Sequence, residues 1–336
     1  MKIGTVVRSS IRHWKRAMKF ALLGAVALLI LFVLAYSHFF GPAQKYGATE
    51  QFIIQPGTSV AQAAAALRTQ GLIRSTWAVR FALLEMSGGR AVRPGGYELS
   101  GSMDAWTIAK ALVGPPQLVF VTFPPSIRKE QMGAILADAL NWSDDEKTEW
   151  DTTATEPDPD FAEGVYYPDT YLIPGDQTPA QVAARMRGRF TDVFAPYAKE
   201  ALAKGLKWTD VLTLASIVDR EAGHSDKALV AGILWNRIHH HMLLQADATL
   251  QYIKGTEGNW WPVPTAADKY LESEFNTYKH VGLPPHPIDN PSLDSIAAVL
   301  DPESTNCLYY LHDDSHGIHC SLTYAGQKSN VDKYLK

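Results

Sequence analysis

The sequence predicts an α+β protein made of an N-terminal transmembrane helix, a small α+β module and a larger mixed α+β domain built around a buried helix. Three observations carry this prediction. A long apolar run follows the basic N-terminus, strands bracket short helices over residues 50–117, and residues 212–223 are apolar on nearly every helical face. A chain of 336 residues is long enough for two or three such parts.

The N-terminus predicts a membrane anchor. Residues 20–40 are almost wholly apolar, and about 20 such residues cross a bilayer. The basic segment before them, residues 1–19, favours a cytoplasmic N-terminus and a single pass through the inner (cytoplasmic) membrane. The rest of the chain is then expected on the periplasmic, extracytoplasmic side. A signal-peptidase site at residues 35–37 is the alternative, and cleavage there would release the protein.

Residues 50–117 predict a compact module after a short polar linker. Ser59 and Ser102 are candidate N-caps of its first and third helices, and Ser75 begins the second. Nothing in this module looks catalytic. Its predicted elements are a strand at 52–54, helices over 60–69 and 75–86, a strand at 94–99 and a helix over 103–113.

Residues 118–160 are predicted to connect the module to the larger domain, residues 161–336. The connection begins with a β-rich run, and a helix follows from Ser126 to Leu140. Residues 143–160 are acidic and poorly patterned, so they form a linker or a helical insertion. Further helices are expected over 179–197, from Thr209 into the central helix, and over 228–238.

The central helix, residues 212–223, is apolar until its last turn, where Asp219, Arg220 and Glu221 arrive together. Gly223 is its predicted end, because glycine readily takes the left-handed conformation. Glu221 shares a face with the apolar positions three and four residues earlier, whereas Asp219 lies roughly 200° around the helix. An apolar surround raises the pKa of a carboxyl group, and a general acid needs a proton near neutral pH. The alternative is a helix-end acid paired with a nearby Arg or Lys.

Several segments together resemble one family. Residues 214–221 resemble the A-S-I-(V/I)-E-x-E core of the endolytic murein transglycosylases, the MltG or YceG-like family. Residues 243–252, LLQADATLQY, are similar to its M-x-L-Q-(T/S)-D-P-T-(V/I)-x-Y segment, and residues 275–291 to its Y-N-T-Y…G-L-P-P-x-P-I-x-N-P signature. Residues 163–171 match its E-G-(x)₃-P-D-T-Y. Four motifs in the family's order make the resemblance specific.

The resemblance implies an activity and a mechanism. The implied reaction cleaves the β-1,4 bond between N-acetylmuramic acid (MurNAc) and N-acetylglucosamine (GlcNAc) in nascent peptidoglycan without water, and so terminates strand elongation. The sugar's C6 hydroxyl attacks C1 and leaves a 1,6-anhydro end. Glu221 is then the general acid and base, and residues 50–117 are a LysM-like module. The implied partners are peptidoglycan glycan strands and peptidoglycan synthases at the membrane, and no cofactor is implied.

The sequence departs from the family pattern at several positions. Asp219 replaces the first acid of the family's pair with a shorter side chain. The supporting role of that acid in the family therefore does not carry over directly to Asp219. Near the C-terminus, residues 317–320 shorten the expected G-x-H-x-F. None of these departures is expected to touch Glu221. Three further residues replace the usual proline, proline and glycine, in that order: Ala248, Glu274 and His286. These three too are expected not to touch Glu221.

Two other functions remain open. A hydrolase of the same polymer needs two carboxyl groups that flank the scissile bond. Asp219 cannot easily be the second one, because it points to another side of the helix than Glu221. A non-catalytic peptidoglycan-binding scaffold would need neither acid. The facing of the two acids favours the scheme with one catalytic carboxyl group.

Other motif residues suit sugar binding, although each has a structural alternative. Asn236, on the helix after the central one, is expected either to orient Glu221 or to make a packing contact. Aromatic rings that could stack on sugars or pack in the core are Tyr166, Tyr167, Tyr252, Tyr278, Trp260 and Trp261. Polar side chains that could bind hydroxyl and N-acetyl groups or brace loops are Asp169, Gln245, Asp247, Asn276 and Thr277.

Composition and the histidine pattern indicate neither a nucleic-acid partner nor a metal. The net charge is -4 and 46% of residues are hydrophobic, which is typical of neither a nucleic-acid-binding nor a disordered protein. The histidine run 239–241 points its side chains in different directions, unlike the i,i+4 pair of a helical zinc site. Three more histidines cluster downstream, at 312, 316 and 319. We expect no bound metal at either group.

The two cysteines fall in a predicted β-hairpin, in which two β-rich runs flank the turn residues 313–316. With the turn centred between Asp313 and Asp314, Cys307 lies directly opposite Cys320, near the reach of a disulfide. An oxidising compartment outside the membrane would permit the bond. Two buried free thiols are the alternative.

Overall fold

The computed structural model describes residues 3–88, 92–155, 162–223 and 225–336, with the side chains of residues 3–13 and 15–17 left aside. The chain divides into two compact units, Met1–Phe120 and Val121–Lys336. Both units contain helices and strands, so the predicted α+β class is confirmed.

Helix α1, Ile3–Phe40, opens the first unit. Its segment Met18–Phe40 has 23 residues and a mean hydropathy of 2.6, which makes it long and apolar enough to cross a membrane. The side chain of Phe40, in its last turn, is buried in the hydrophobic core of the unit. The apolar helix therefore ends inside a folded module rather than in a free linker.

The rest of the first unit is a two-layer α+β module. Strands β1 and β2 pair antiparallel, with Phe52 opposite Tyr97. Side chains alternate across a strand, so Phe52, Ile54, Tyr97 and Leu99 face the helices and Glu98 faces away. The elements are β1 (Thr49–Ile54), α2 (Val60–Thr69), α3 (Thr76–Ser87), β2 (Gly95–Ser100), α4 (Ala105–Val113) and the start of β3 (Leu118–Thr122).

The helix starts of this module follow local capping chemistry, with one correction. Ser59 and Ser75 cap α2 and α3 as predicted, because each hydroxyl accepts a backbone N–H of the first turn. Ser102 does not cap α4. Asp104 does so instead, with its carboxylate 2.7 Å from the N–H nitrogen of Thr107, while the hydroxyl of Ser102 pairs with that of Ser100.

The second unit is mostly helical. Residues 143–155 take the helical alternative, with Ser143 in a capping box, and residues 156–161 lie outside the described part. The elements after β3 are α5 (Lys129–Leu140), α6 (Asp144–Glu149), a π-helical turn (Trp150–Ala154), β4 (Thr170–Pro174), α7 (Pro179–Ala203), α8 (Trp208–Glu221), α9 (Lys227–His239), α10 (Asp247–Lys254), a 3-10 helix (Ala266–Tyr270), α11 (Leu293–Leu300), β5 (Tyr309–His312), β6 (Ile318–Ser321) and α12 (Tyr324–Tyr334).

Two predicted helix bounds in this unit are wrong. Ser126 does not open α5, because its backbone is left-handed (φ 59°) and the helix starts three residues later. Helix α7 does not stop near Tyr197. It continues to Ala203, and the buried side chains of Phe194 and Ala201 show that the core packing continues on both sides of Pro196.

Helix α8 is the predicted central helix. Residues 211–218 are all buried, and α8 packs against α7, α9, α10 and α11. The helix ends at Glu221, but the predicted glycine stop is wrong. Ala222 leaves the helix in extended backbone, and its N–H bonds to the carbonyl of Val218, so no left-handed residue is needed there.

The C-terminal hairpin differs in register from the prediction. Tyr310 pairs with Cys320, and Leu311 with His319, so the turn is centred on Ser315. One carboxylate oxygen of Asp313 accepts the N–H groups of Ser315 and Gly317, which stabilises this longer turn. Cys307 therefore precedes β5 instead of facing Cys320. The disulfide between them is nevertheless present, with a Cα–Cα distance of 5.8 Å.

Candidate active site

The carboxyl group of Glu221 lies at the end of α8, where α10 and β5 meet it. Its Oε1 accepts the backbone N–H of Ala248 at 3.0 Å, in the first turn of α10. Its Oε2 is 3.0 Å from the hydroxyl of Tyr310, on β5. The side chain is half-buried, so a substrate can approach it from outside. Two donors from two other elements thus fix both oxygens of one carboxyl group.

The electrostatic surroundings of Glu221 suit a proton donor. Burial raises the pKa of its carboxyl group, while the hydrogen bonds from Ala248 and Tyr310 oppose that rise. The nearby charge of Asp247 raises the pKa further, and the net result lies above the ordinary value. A carboxylic acid with a raised pKa keeps its proton at higher pH and can deliver it to a leaving group.

Neither contact of Glu221 was predicted from the sequence. Ala248 was expected not to touch Glu221, and this expectation is wrong. The residue matters through its backbone, because a proline at this position would have no N–H to donate. Tyr310 carried no signal beyond its place in a β-rich run, since nothing local shows which residue a strand side chain will meet.

A buried loop holds the N–H of Ala248 in place. The hydroxyl of Thr277 accepts the N–H of Ala246 at 3.0 Å and pairs with the hydroxyl of Thr249. The side-chain amide of Asn276 donates to the backbone carbonyls of residues 269 and 271. Both Thr277 and Asn276 are buried. Of the two roles predicted for them, the structure shows loop bracing.

Three other predicted binding residues stay accessible next to this loop. Gln245 and Asp247 are exposed, and Tyr278 is half-buried. The hydroxyl of Tyr278 donates to a carboxylate oxygen of Asp247 at 2.6 Å. Asp247 immediately precedes Ala248, so this polar group lies beside the N–H that Glu221 accepts.

Asp219 faces away from Glu221 and serves another purpose. One oxygen of its carboxylate pairs with the ammonium of Lys227 at 2.7 Å and with the hydroxyl of Ser292, and the other accepts the N–H of Ser292. Burial alone would raise the pKa of Asp219, but these contacts and a hydrogen bond from Ser295 lower it. Asp219 therefore joins α8 to the start of α11 as a carboxylate.

The sequence of this chain matches one family model over most of its length. The model of the YceG-like family covers residues 52–333. The chain belongs to the YceG-like family. An endolytic murein transglycosylase of Bacillus subtilis strain 168 is 27% identical over 321 residues, which cover 88% of this chain and 87% of that protein.

Two further similarities place this YceG-like chain among known proteins. An endolytic murein transglycosylase of Streptococcus pneumoniae strain D39 is 31% identical over 174 residues, or 51% of this chain. The matched part spans only 31% of that longer protein. A crystal structure of a yceG-like protein from Listeria monocytogenes shares the fold, with a TM-score of 0.58 and 24% identity. The similarity covers 84% of this chain and 99% of that one.

The aromatic residues predicted for sugar stacking mostly pack in this YceG-like protein. The Arg128 guanidinium lies 4.2 Å from the ring centre of Tyr252 and 4.9 Å from that of Trp260. The Arg220 guanidinium lies 3.9 Å from the ring centre of Trp261. These arginines cover one face of each ring. Tyr166 is fully buried, and its hydroxyl donates to the carbonyl of Thr155.

The remaining predicted site residues are held elsewhere in the YceG-like fold. Asp169 forms an ion pair with Arg189 at 3.0 Å, and that guanidinium lies 6.0 Å from the ring centre of Tyr167. Asn236 makes the packing contact that was its alternative role: its amide donates to the carbonyls of residues 305 and 307, in the segment that leads into β5.

Two histidines of this YceG-like chain each pair with one acid. His312 lies 2.8 Å from Asp226, and His319 lies 2.7 Å from Asp313. Within the described ranges, which omit residue 224, no three His, Cys, Asp or Glu side chains could hold a metal ion together.

Proposed function

We propose that this YceG-like protein is an endolytic peptidoglycan lytic transglycosylase. It cleaves the β-1,4 bond between MurNAc and GlcNAc within nascent glycan strands and leaves a 1,6-anhydroMurNAc end. The observation that carries the proposal is the carboxyl group of Glu221, whose pKa is raised and whose two oxygens each have one donor. The names of the Bacillus and Streptococcus relatives support the same activity.

The two donors distinguish the oxygens of Glu221. A backbone N–H can only donate, so Oε1 must accept from Ala248 and the proton of the acid form is carried by Oε2. A tyrosine hydroxyl can donate or accept. Tyr310 can therefore accept from Oε2–H before the reaction and donate to Oε2 afterwards. The change costs no movement of heavy atoms.

The proposed reaction uses this arrangement in two steps. When substrate is bound, the proton on Oε2 turns from Tyr310 to the glycosidic oxygen and passes to it as the bond from that oxygen to C1 breaks. The resulting carboxylate is stabilised by the N–H of Ala248 and the hydroxyl of Tyr310. The MurNAc C6 hydroxyl then attacks C1 and gives its proton back to Glu221. One carboxyl group suffices, and no water is consumed.

We assign the accessible neighbours of Glu221 to substrate binding. Gln245, Asp247 and Tyr278 lie beside the N–H that orients the acid and present amide, carboxylate and phenol groups. The catalytic domain is assigned to residues 161–336, with residues 118–160 as its connection to a LysM-like module at residues 50–117.

A glycan hydrolase is the second candidate function, and Asp247 is the observation that favours it. Its charge acts on Glu221, so its carboxylate is close enough to be considered as the second group that a hydrolase needs. The hydrogen bond from Tyr278 and the position in the first turn of α10, where a negative charge is favourable, give Asp247 another role. The product decides between the two functions, because hydrolysis leaves a free reducing end that is heavier by one water.

The proposal is tested on purified glycan strands, with mass spectrometry of the products. Glu221→Gln should abolish cleavage while glycan binding persists, because the amide keeps the shape of the side chain but cannot supply a proton. Asp219→Asn is the matched control on the same helix and should retain most of the turnover. Appreciable turnover by Glu221→Gln would remove Glu221 from the mechanism. If both variants are folded and equally inactive, the two acids act as a pair.

We further propose that α1 anchors the protein in the inner membrane, with residues 1–19 in the cytoplasm and the catalytic domain outside. The length and hydropathy of Met18–Phe40 and its basic flank support this topology. Membrane-bound peptidoglycan synthases would then be neighbours, and cleavage near them would terminate strand elongation. A reporter fused after Lys336 should be active only outside the cytoplasm, and activity inside would overturn the topology.

A further inference from the structure

Helix α3 is apolar on two opposite sides. Its inner side packs into the module core through Ala78, Val79, Ala82 and Leu83. Its outer side carries Trp77, Phe81 and Leu84, which are 61%, 38% and 58% exposed. These outer residues follow the i, i+4, i+7 spacing and so share one face of the helix. Large apolar side chains grouped on an exposed face mark an interaction surface.

This outer face begins at the end of α1. The ring of Phe40 lies 5.8 Å from that of Trp77 and 6.2 Å from that of Phe81, edge to face. On its other side it stacks against Trp106 of α4, at 6.0 Å. The indole N–H of Trp106 donates to the hydroxyl of Tyr36, one turn back in α1, at 2.9 Å. Two helices of the module thus hold the last two turns of α1.

The chemistry of the face matches the boundary of a bilayer. Tryptophan and tyrosine concentrate where a membrane-spanning helix leaves the hydrocarbon, because their rings combine apolar area with a polar group. A recess of about 380 Å³ lies along the face, and its lining includes Trp77, Phe81, Leu84 and Arg80. A guanidinium beside apolar rings fits an anionic lipid headgroup above its acyl chains.

We propose that the outer face of α3 lies in the membrane interface and binds lipid. The continuity of the face with the apolar segment Met18–Phe40 selects lipid over a protein partner. Because Phe40 is buried in the module core, the face sits at the depth where α1 ends. The module then lies on the bilayer through α3 and α4, in addition to the anchor itself. This inference rests on the proposed membrane anchoring of α1.

The test places a nitroxide label on the full-length protein. The sequence has two cysteines, and both are in the disulfide, so an introduced cysteine is the only free thiol. Leu84→Cys probes the face, and Glu98→Cys, on the opposite side of the sheet, is the matched control. Leu29→Cys probes α1. Each protein is placed in bilayers of phosphatidylcholine and phosphatidylglycerol, and relaxation by oxygen is compared with relaxation by a water-soluble nickel chelate.

The proposal expects the label at 84 to lose most of its contact with the nickel chelate and to gain contact with oxygen, while the label at 98 stays open to the chelate. If position 84 is as open to the chelate as position 98, the face does not touch lipid. Protection at 84 from both agents would indicate a protein contact and also overturn the proposal. The label at 29 separates the lipid contact of α3 from the membrane anchoring by α1, because exposure of that label to the chelate would refute the anchor itself.

Discussion

The two oxygens of Glu221 differ in the groups that reach them, and this difference decides what single substitutions should do. A hydrogen bond to a charged group contributes about 1.5–3 kcal/mol, and one pKa unit corresponds to about 1.4 kcal/mol. Removing one donor from the ionised form should therefore raise the pKa of Glu221 by about one to two units. The alkaline limb of kcat/KM reports this pKa if the acid form of Glu221 is the active one.

Tyr310→Phe removes the hydroxyl next to Oε2 and keeps the ring. We expect a lower rate, with the alkaline limb displaced to higher pH by about one to two units, because the carboxylate loses a donor. Tyr309→Phe is the control, since its ring packs against Tyr324 and beneath Arg237 instead. A Tyr310→Phe profile that coincides with the wild type would show that the hydroxyl does not act on Glu221.

Ala248→Pro removes the backbone N–H that Oε1 accepts. Proline is tolerated in the first turn of a helix, where the N–H has no partner within the helix. The alkaline limb should again move to higher pH, by about one to two units. Ala248→Gly keeps the N–H and should leave the pH profile in place. Equal profiles for all three proteins would mean that the N–H of Ala248 has no part in setting the pKa.

The positions of individual side chains could be predicted from the sequence where they depend on local helix geometry. The helical period placed Glu221 and Asp219 on different sides of α8, and their separate partners agree with that placement. Tyr310 and the N–H of Ala248 could not be predicted, because they reach Glu221 from elements 89 and 27 residues away in sequence. Such contacts depend on how the elements pack, and no local pattern encodes it.

The elements themselves show the same limit at their ends. A serine that begins a helix was recognised at residues 59 and 75, yet at 102 a nearby aspartate took the cap. In the hairpin, both strands were predicted but the turn centre was not. A carboxylate accepts backbone N–H groups strongly, so Asp104 and Asp313 decide the local geometry over their neighbours.

The disulfide should stabilise the element that carries Tyr310. Cys307 and Cys320 are 13 residues apart, and closing so short a loop is worth about 3 kcal/mol. The double variant Cys307→Ser, Cys320→Ser should therefore lower the free energy of unfolding in urea by about 3 kcal/mol. Wild-type protein with a thiol reductant is the control, and its free energy of unfolding should equal that of the double variant. Equal stability with and without the bond would show that it only joins an already rigid hairpin.

At the scale of the whole molecule, a buried acid links stability to pH. Glu163 is fully buried, and its carboxyl group bonds to the amide of Asn290 and the N–H of Lys129. Burial, together with the charge of Glu130, raises its pKa to about 8. In the unfolded chain the value is about 4.3. The folded state therefore binds more protons between these two values, and stability falls as pH rises through that window.

Glu163→Gln should remove most of this pH dependence, because a neutral amide does not titrate. Urea midpoints measured across the window should fall with pH in the wild type and stay nearly level in the variant. A slope that remains would come from other acids whose pKa burial raises, such as Asp289 and Glu221. Glu85→Gln, at an exposed position, is the control and should keep the wild-type slope. A wild-type midpoint that does not change with pH would show that folding does not raise the pKa of Glu163.

The disulfide between Cys307 and Cys320 also bears on when the site around Glu221 is completed. Tyr310 lies three residues after Cys307, on a strand whose partner carries Cys320. A reducing cytoplasm does not sustain such a bond, whereas the compartment beyond the membrane does. With the proposed topology, a newly synthesised chain would cross the membrane before this disulfide forms. The bond would then stabilise the hairpin that carries Tyr310, and with it the surroundings of Glu221, only outside the cytoplasm. The proposed enzyme would therefore reach full activity only in the compartment that contains its peptidoglycan substrate.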